Sequence, residues 1–144
     1  MKVNIVCVGK LKEAYWRGAV EEYAKRLSRF CKLEIRELPE KSSPAAEADE
    51  ILSRFSGHII ALAVEGKQTS SEGLAKSIKT LCDKGEEITF VIGSSCGLDD
   101  RVKVASDELL SFSQFTFPHQ MMRVILLEQV YRAFMINSGA TYHK

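Results

Sequence analysis

The pattern that most narrows the fold is the alternation of short β-branched runs with helix-periodic runs along nearly the whole chain. "VNIVCV" at 3–8 is a strand that stops at Gly9, and after it Trp16, Ala19, Val20, Tyr23, Ala24, Leu27 and Phe30 recur at three- and four-residue steps. "KLEIREL" is a second strand, closed by Pro39. The next helix carries Pro44 in its first turn and is closed by Gly57. "HIIALAV" reads as a buried strand, and Thr69 to Glu72 has the form of a capping box for a helix with Leu74, Ile78 and Leu81 on one face. That helix stops at Gly85, and "ITFVIG" follows as a strand. Strands that alternate with helices this regularly require crossover connections. The expected fold is therefore α/β, a mostly parallel sheet with helices on both faces. No repeat or linker divides the chain, so residues 1–144 are expected to form a single domain.

Composition removes several classes of function. With 45% hydrophobic and 27% charged residues, the chain is globular rather than disordered. No apolar run reaches the roughly 18–20 residues a bilayer crossing needs, and the start has no signal-peptide form, so the expectation is a cytoplasmic protein without a membrane partner. Cys7, Cys31, Cys82 and Cys96 are scattered without a CxxC pair, as are His58, His119 and His143, so no metal site is expected. A net charge of +1 argues against general polyanion capture, although Lys10, Lys12, Arg17, Lys25, Arg26, Arg29, Lys32 and Arg36 crowd the first quarter.

The stretch "LLSFSQFTFPHQMMR" at 109–123 mixes Ser, Gln and Thr into a segment rich in Leu and Phe, so neither side of it is purely apolar. Pro118 ends it and a helix begins near His119. Apolar residues from Met121 to Ile136 cover most of that helix's circumference, whereas a surface helix shows one stripe. One face should pack on the sheet; the other, represented by Leu126 and Val130, is expected to meet a two-fold copy of itself. Arg123, Glu128 and Arg132 interrupt the apolar surface as groups facing a site or partner would.

Ligands of open parallel sheets bind beyond the carboxyl ends of the strands. "VIGSSCGL" places Gly93 and Gly97 around Ser94, Ser95 and Cys96 at such an end, without the GxGxxG fingerprint or the Lys of a phosphate loop. Cys96 has no histidine near in sequence to serve as its base. Asp99 and Asp100 would oppose its thiolate.

"FVIGSSCGL", "LSFSQFTFPHQMMRVILLEQVYRAF" and the terminal "YHK", with "VGKLKEAYW" and "EGKQTSSEGLA", resemble the RlmH family of ribosomal RNA large-subunit methyltransferases in the SPOUT superfamily. The likeness runs over nearly the whole chain. It implies a homodimer that uses S-adenosylmethionine to methylate N3 of a pseudouridine in 23S ribosomal RNA, and the net charge of +1 adds the expectation that this RNA is presented by an assembled ribosome. It also implies a C-terminal trefoil knot, which chain-path rules alone would not give.

Carried over residue by residue, the resemblance puts cofactor contacts on Leu62, Gly93, Phe112, Ser113, Gln114, Phe115, Thr116 and Phe117. An adenine needs an apolar slot for its faces and hydrogen-bonding groups for its edge, which an irregular extended segment can offer. His143 is the candidate for proton handling, with Tyr142, Lys144 and Arg132 holding base and phosphate. His119 is a second proton handler or RNA contact, and Arg123 a further RNA contact. The family usually has a second glycine where this chain has Ser94, and often a proline where it has Thr141. Two other classes remain open: a non-catalytic dimeric ribosome-binding factor, and a dinucleotide oxidoreductase, for which the first strand end offers only Gly9.

Overall fold

The computed structural model describes residues 1–142. In chain order the elements are β1 (Lys2–Val8), α1 (Ala14–Leu27), β2 (Lys32–Leu38), α2 (Pro44–Ser53), β3 (His58–Gln68), α3 (Ser71–Asp83), β4 (Ile88–Ile92), α4 (Asp100–Ala105), β5 (Glu108–Ser111) and α5 (His119–Asn137). The five strands form one parallel sheet in the order β2-β1-β4-β3-β5. The α/β class and the parallel sheet are as expected from the sequence.

The register explains why the central strands are near-continuous apolar runs. In β1, Val3, Ile5 and Cys7 join the core under α1, α3 and α5, while Val6 and Val8 point to the opposite layer under α2 and α4. β4 is buried along its whole length. A parallel strand covered on both faces has no polar side to show. The edge strand β2 is half exposed, which is why "KLEIREL" alternates charges with apolar residues.

Local chemistry sets the helix ends. Ser43 caps α2 by accepting from the Ala46 amide (3.2 Å), with Pro44 in the first turn. At α3 the cap is Ser70, which accepts from Gly73 N–H (3.0 Å). The Thr69 to Glu72 capping box is thus displaced by one residue.

α5 lies between α1 and α3 rather than on an outer surface. Its Leu126, Leu127, Val130 and Ala133 are fully buried, and the Phe134 ring stacks on Phe30, in the turn after α1, with centroids 5.7 Å apart. This corrects the expectation that Leu126 and Val130 face a second copy. Two flanking helices and the sheet consume most of the helix's apolar circumference, leaving Met121, Met122, Val124 and Ile125 half-buried.

A Leu126→Ala change therefore acts on folding: it is expected to cost about 2–5 kcal/mol, read as a lower denaturation midpoint. Intact stability with dissociation of a dimer would instead place Leu126 at an interface.

Candidate functional site

A cavity of about 710 Å³ opens at the carboxyl ends of β3, β4 and β5. Its apolar wall comes from Leu62, Ile92, Leu98, Leu110, Phe112 and Phe117, and its rim from the 93–97 loop and the first turn of α5. The strand-end rule locates it correctly. It lies to one side of the β1/β4 boundary, where the strand order reverses.

Of the eight cofactor positions drawn from the resemblance, Leu62, Gly93, Phe112, Ser113, Phe115, Thr116 and Phe117 line this cavity; Gln114 is exposed and does not. β5 ends at Ser111, so residues 112–117 leave the ladder. Ser113 uses its hydroxyl to accept from the Phe115 amide (3.0 Å), and its carbonyl accepts from the Ser111 hydroxyl (3.2 Å). Among the described residues, the main-chain groups of Gln114, Thr116 and Phe117 have no hydrogen-bond partner. Main-chain groups left free beside an apolar slot are what the edge and faces of a purine ring require, so the residues present fit an adenosyl cofactor. Phe115 is 78% exposed at the mouth, an apolar ring with nothing packed over it in this chain.

The glycine loop is a tight turn. Gly97 N–H donates to the Ser94 carbonyl (2.9 Å), and Gly97 takes a φ of +84°. A Cβ on Gly93 would stand 2.6 Å from the Gly97 carbonyl oxygen, so only glycine lets the loop close on itself there. Ser94 is buried in an ordinary backbone conformation, and its hydroxyl accepts from the Cys96 amide (3.3 Å). The serine at this position thus serves the turn. Cys96 is exposed. The buried Cys7 and Cys31 thiols are pushed up to about 11 by desolvation, which keeps them protonated and inert.

The rim also holds residues not singled out from the sequence. Lys103 of α4 pairs with Glu65 at 2.6 Å, and this hydrogen bond holds the Glu65 carboxyl below its usual range. The sequence carried no signal for this pair, because a four-residue departure of β3 from the ladder, at 63–66, creates it. Leu62 and Lys67 both register with Leu110, so the residues between them swing out over the cavity.

His119 lines the cavity. Three other assigned residues take other places. Arg123, one turn further along α5, is only 1% exposed: it donates to Glu37 Oε2 (2.6 Å) and to the Gly9 carbonyl (3.1 Å). Arg123 as an RNA contact is therefore corrected; its charge is consumed inside the fold. Arg132 of α5 meets Tyr142, which lies beyond the end of that helix. Arg132 pairs with Glu128 (2.8 Å), its guanidinium lies 4.9 Å from the Tyr142 ring centre, and the Tyr142 hydroxyl donates to Glu128 Oε2 (2.9 Å). Burial, then the Glu128 hydrogen bond, raises the Tyr142 hydroxyl above its usual range. The same causes push neighbouring Tyr23 up to about 12. Thirteen residues of helix separate Arg132 from His119, about 20 Å at 1.5 Å per residue, so this cluster is not at its own chain's cavity. His143 and Lys144 lie outside the described residues. Among those described, no three His, Cys, Asp or Glu side chains are grouped to hold a metal ion, and no helix is long and apolar enough to cross a membrane.

A parallel sheet with a cavity at its carboxyl ends, walled by an irregular segment with open main-chain groups, is the ligand-site arrangement of open α/β folds. A family model described as predicted SPOUT methyltransferase matches residues 1–143, and the chain belongs to that family. It is 47% identical to the ribosomal RNA large subunit methyltransferase H of Lactobacillus helveticus and 48% identical to that of Lactobacillus acidophilus, each match covering all of both chains. Among solved structures, it superposes on a probable methylase family protein from Haemophilus influenzae with a TM-score of 0.62. That match has 11% identity and covers 99% of this chain and 70% of the other. The SpoU methyltransferase AviRb of Streptomyces viridochromogenes, solved with its cofactor AdoMet, superposes at 0.51 with 11% identity, covering 97% and 61%. These structural likenesses speak for the fold alone.

Gly93→Ala is expected to displace the 94–97 turn and to destabilise the fold by about 1–3 kcal/mol, measured by chemical denaturation. An unchanged midpoint would mean that the turn tolerates a side chain at this position.

Proposed function

We propose that this chain is an S-adenosylmethionine-dependent methyltransferase of large-subunit ribosomal RNA, acting on N3 of a pseudouridine in 23S RNA as a cytoplasmic homodimer on assembled ribosomes. The observation that carries the reading is the cavity. Seven positions that the family resemblance assigns to the cofactor, from three separate stretches of chain, line one space. Full-length identity near 47% to ribosomal RNA large subunit methyltransferases supports the substrate class. The return of β3 to Leu110 after leaving the ladder, with Gly66 so close that a Cβ would sit 2.6 Å from Leu109 carbonyl atoms, supports the threaded trefoil path.

When bound, the cofactor supplies an electrophilic methyl group on a sulfonium. The protein's part is positioning. Leu62, Ile92, Phe112 and Phe117 hold the purine faces, and the main chain of Thr116 and Phe117 holds its edge. The acceptor nitrogen must give up its imide proton. His119 stands at the cavity within this chain, and His143 is the tail's candidate for the same task. Arg132 and Tyr142, held by Glu128 far along α5, can serve a cavity only when a second copy brings that end of the helix to it. This is the arrangement the homodimer reading requires.

Deleting residues 142–144 is expected to leave cofactor affinity intact by calorimetry and to abolish methyl transfer to ribosomes, followed by mass mapping of the RNA. Retained activity, or affinity lost together with activity, would overturn the role given to the tail.

A further inference from the structure

We propose that the loop at residues 9–13 is a docking edge for the phosphate backbone of the RNA substrate, built beside the cofactor cavity; the inference rests on the methyltransferase reading above. The loop leaves β1 at the same end of the sheet as the cavity. β1 pairs with β4 through Cys7 and Ile92, so Gly9 and Gly93 begin neighbouring loops. This is the β1/β4 boundary where the strand order reverses, the crevice that open α/β sheets offer to ligands. The cofactor cavity occupies only the side toward β3 and β5. A Cβ on Gly9 would lie 3.8 Å from His119 Nε2, and His119 lines the cavity, so the loop and the site share a border.

The loop is held far more firmly than a solvated connection needs. Gly9 N–H donates to the Leu38 carbonyl (2.8 Å), and the buried Arg123 donates to the Gly9 carbonyl (3.1 Å). Leu11 N–H donates to Glu37 Oε2 (3.2 Å), the same oxygen that receives Arg123. Arg17 reaches back from α1 to donate to the carbonyls of Leu11 and Lys12. On this fixed frame Lys10 and Lys12 are exposed, and neither forms an ion pair among the described residues. Glu37, which accepts from the Leu11 amide, is neutralised by Arg123, and Glu13 turns one carboxylate oxygen away from solvent. With Arg123 and Glu37 cancelling each other, Lys10, Lys12, Arg17 and Lys41 stand against Glu13, Glu40 and Glu47, so a small excess of positive charge remains at this border, carried by the exposed Lys10 and Lys12. Compact ammonium groups held in place suit phosphate oxygens, which set register without reading sequence.

The test pairs Lys10→Ala/Lys12→Ala with a control of equal charge change, Lys32→Ala/Lys84→Ala. The control lysines are exposed at the other end of the sheet, at the start of β2 and in the turn before β4. Binding to large ribosomal subunits is followed from about 50 to 200 mM KCl at fixed Mg²⁺, together with methyl transfer. In the Lys10/Lys12 variant the log–log salt slope should fall by about 1.5–2, and KM should rise about tenfold, with the loss falling on KM rather than kcat and cofactor affinity retained. The control should match the parent. An unchanged slope, or a control that shifts as much, overturns the docking edge. A parent protein that binds subunits but transfers no methyl group overturns the methyltransferase reading instead, and the slopes still decide this one.

Discussion

A single guanidinium, that of Arg123, joins parts of the molecule that the sequence keeps far apart. It is the largest fully buried side chain, and it meets Glu37 of β2 and the carbonyl of Gly9 beyond β1. A buried cation is costly unless paired and hydrogen-bonded, and here Glu37 and Gly9 satisfy Nη1 and Nη2 while Nε has no partner among the described residues. The arrangement persists because α5 needs a fixed start. Hydrophobic burial along Leu126, Val130 and Phe134 holds the helix down but is non-directional, and it tolerates small slides that would move His119, Gln120 and Met122 at the cavity wall. A directional bond one turn from that wall removes the slide.

That same bond explains why the two halves of the active face are coupled. Glu37 Oε2 receives both Arg123 and the Leu11 amide, so the loop after β1 and the first turn of α5 share one acceptor. Rigidity in a methyl-transfer site has a clear use: an in-line displacement is sensitive to small errors in placing the nucleophile. The irregular 112–117 segment, whose main chain is left open for a ligand, is stiffened from the other side by the Ser111 and Ser113 hydroxyls. The mixed Ser and Phe pattern that looked unsuited to a core strand is thus divided by role. The serines brace the segment, and Phe112 and Phe117 form the wall.

The sheet was legible because parallel strands covered on both faces leave an unmistakable record in Val, Ile and Leu, and "KLEIREL" was recovered to the residue. The cavity's place at the strand ends followed from the α/β pattern, but which residues line it was legible only through family likeness. Nothing in the spacing of Leu62, Gly93 and Phe112 says that they meet, since their meeting depends on strand order. Three features went astray for physical reasons. α4, six residues long, is too short for helical periodicity to show. An arginine within an apolar helix reads as a surface group until its partner, 86 positions away, is known. The all-round apolar character of α5 was assigned half to a partner subunit, because a sequence cannot show that α1 and α3 flank it on both sides.

What remains unspent on α5 bears on assembly. Once Leu126, Leu127 and Val130 are counted inward, Met121, Met122, Val124 and Ile125 remain half-buried near the helix start, beside the exposed Phe115 at the cavity mouth. At the far end, Glu128, Arg132 and Tyr142 form a closed polar and aromatic cluster, with Tyr142 seated on Tyr131 at 5.0 Å. Tyr142 is therefore anchored to its own helix. A two-fold pairing of such helices, antiparallel, would set the apolar start of each beside the anchored end of the other. The ring of Phe115 would then gain cover, and a tail would reach a cavity that its own chain places about 20 Å away.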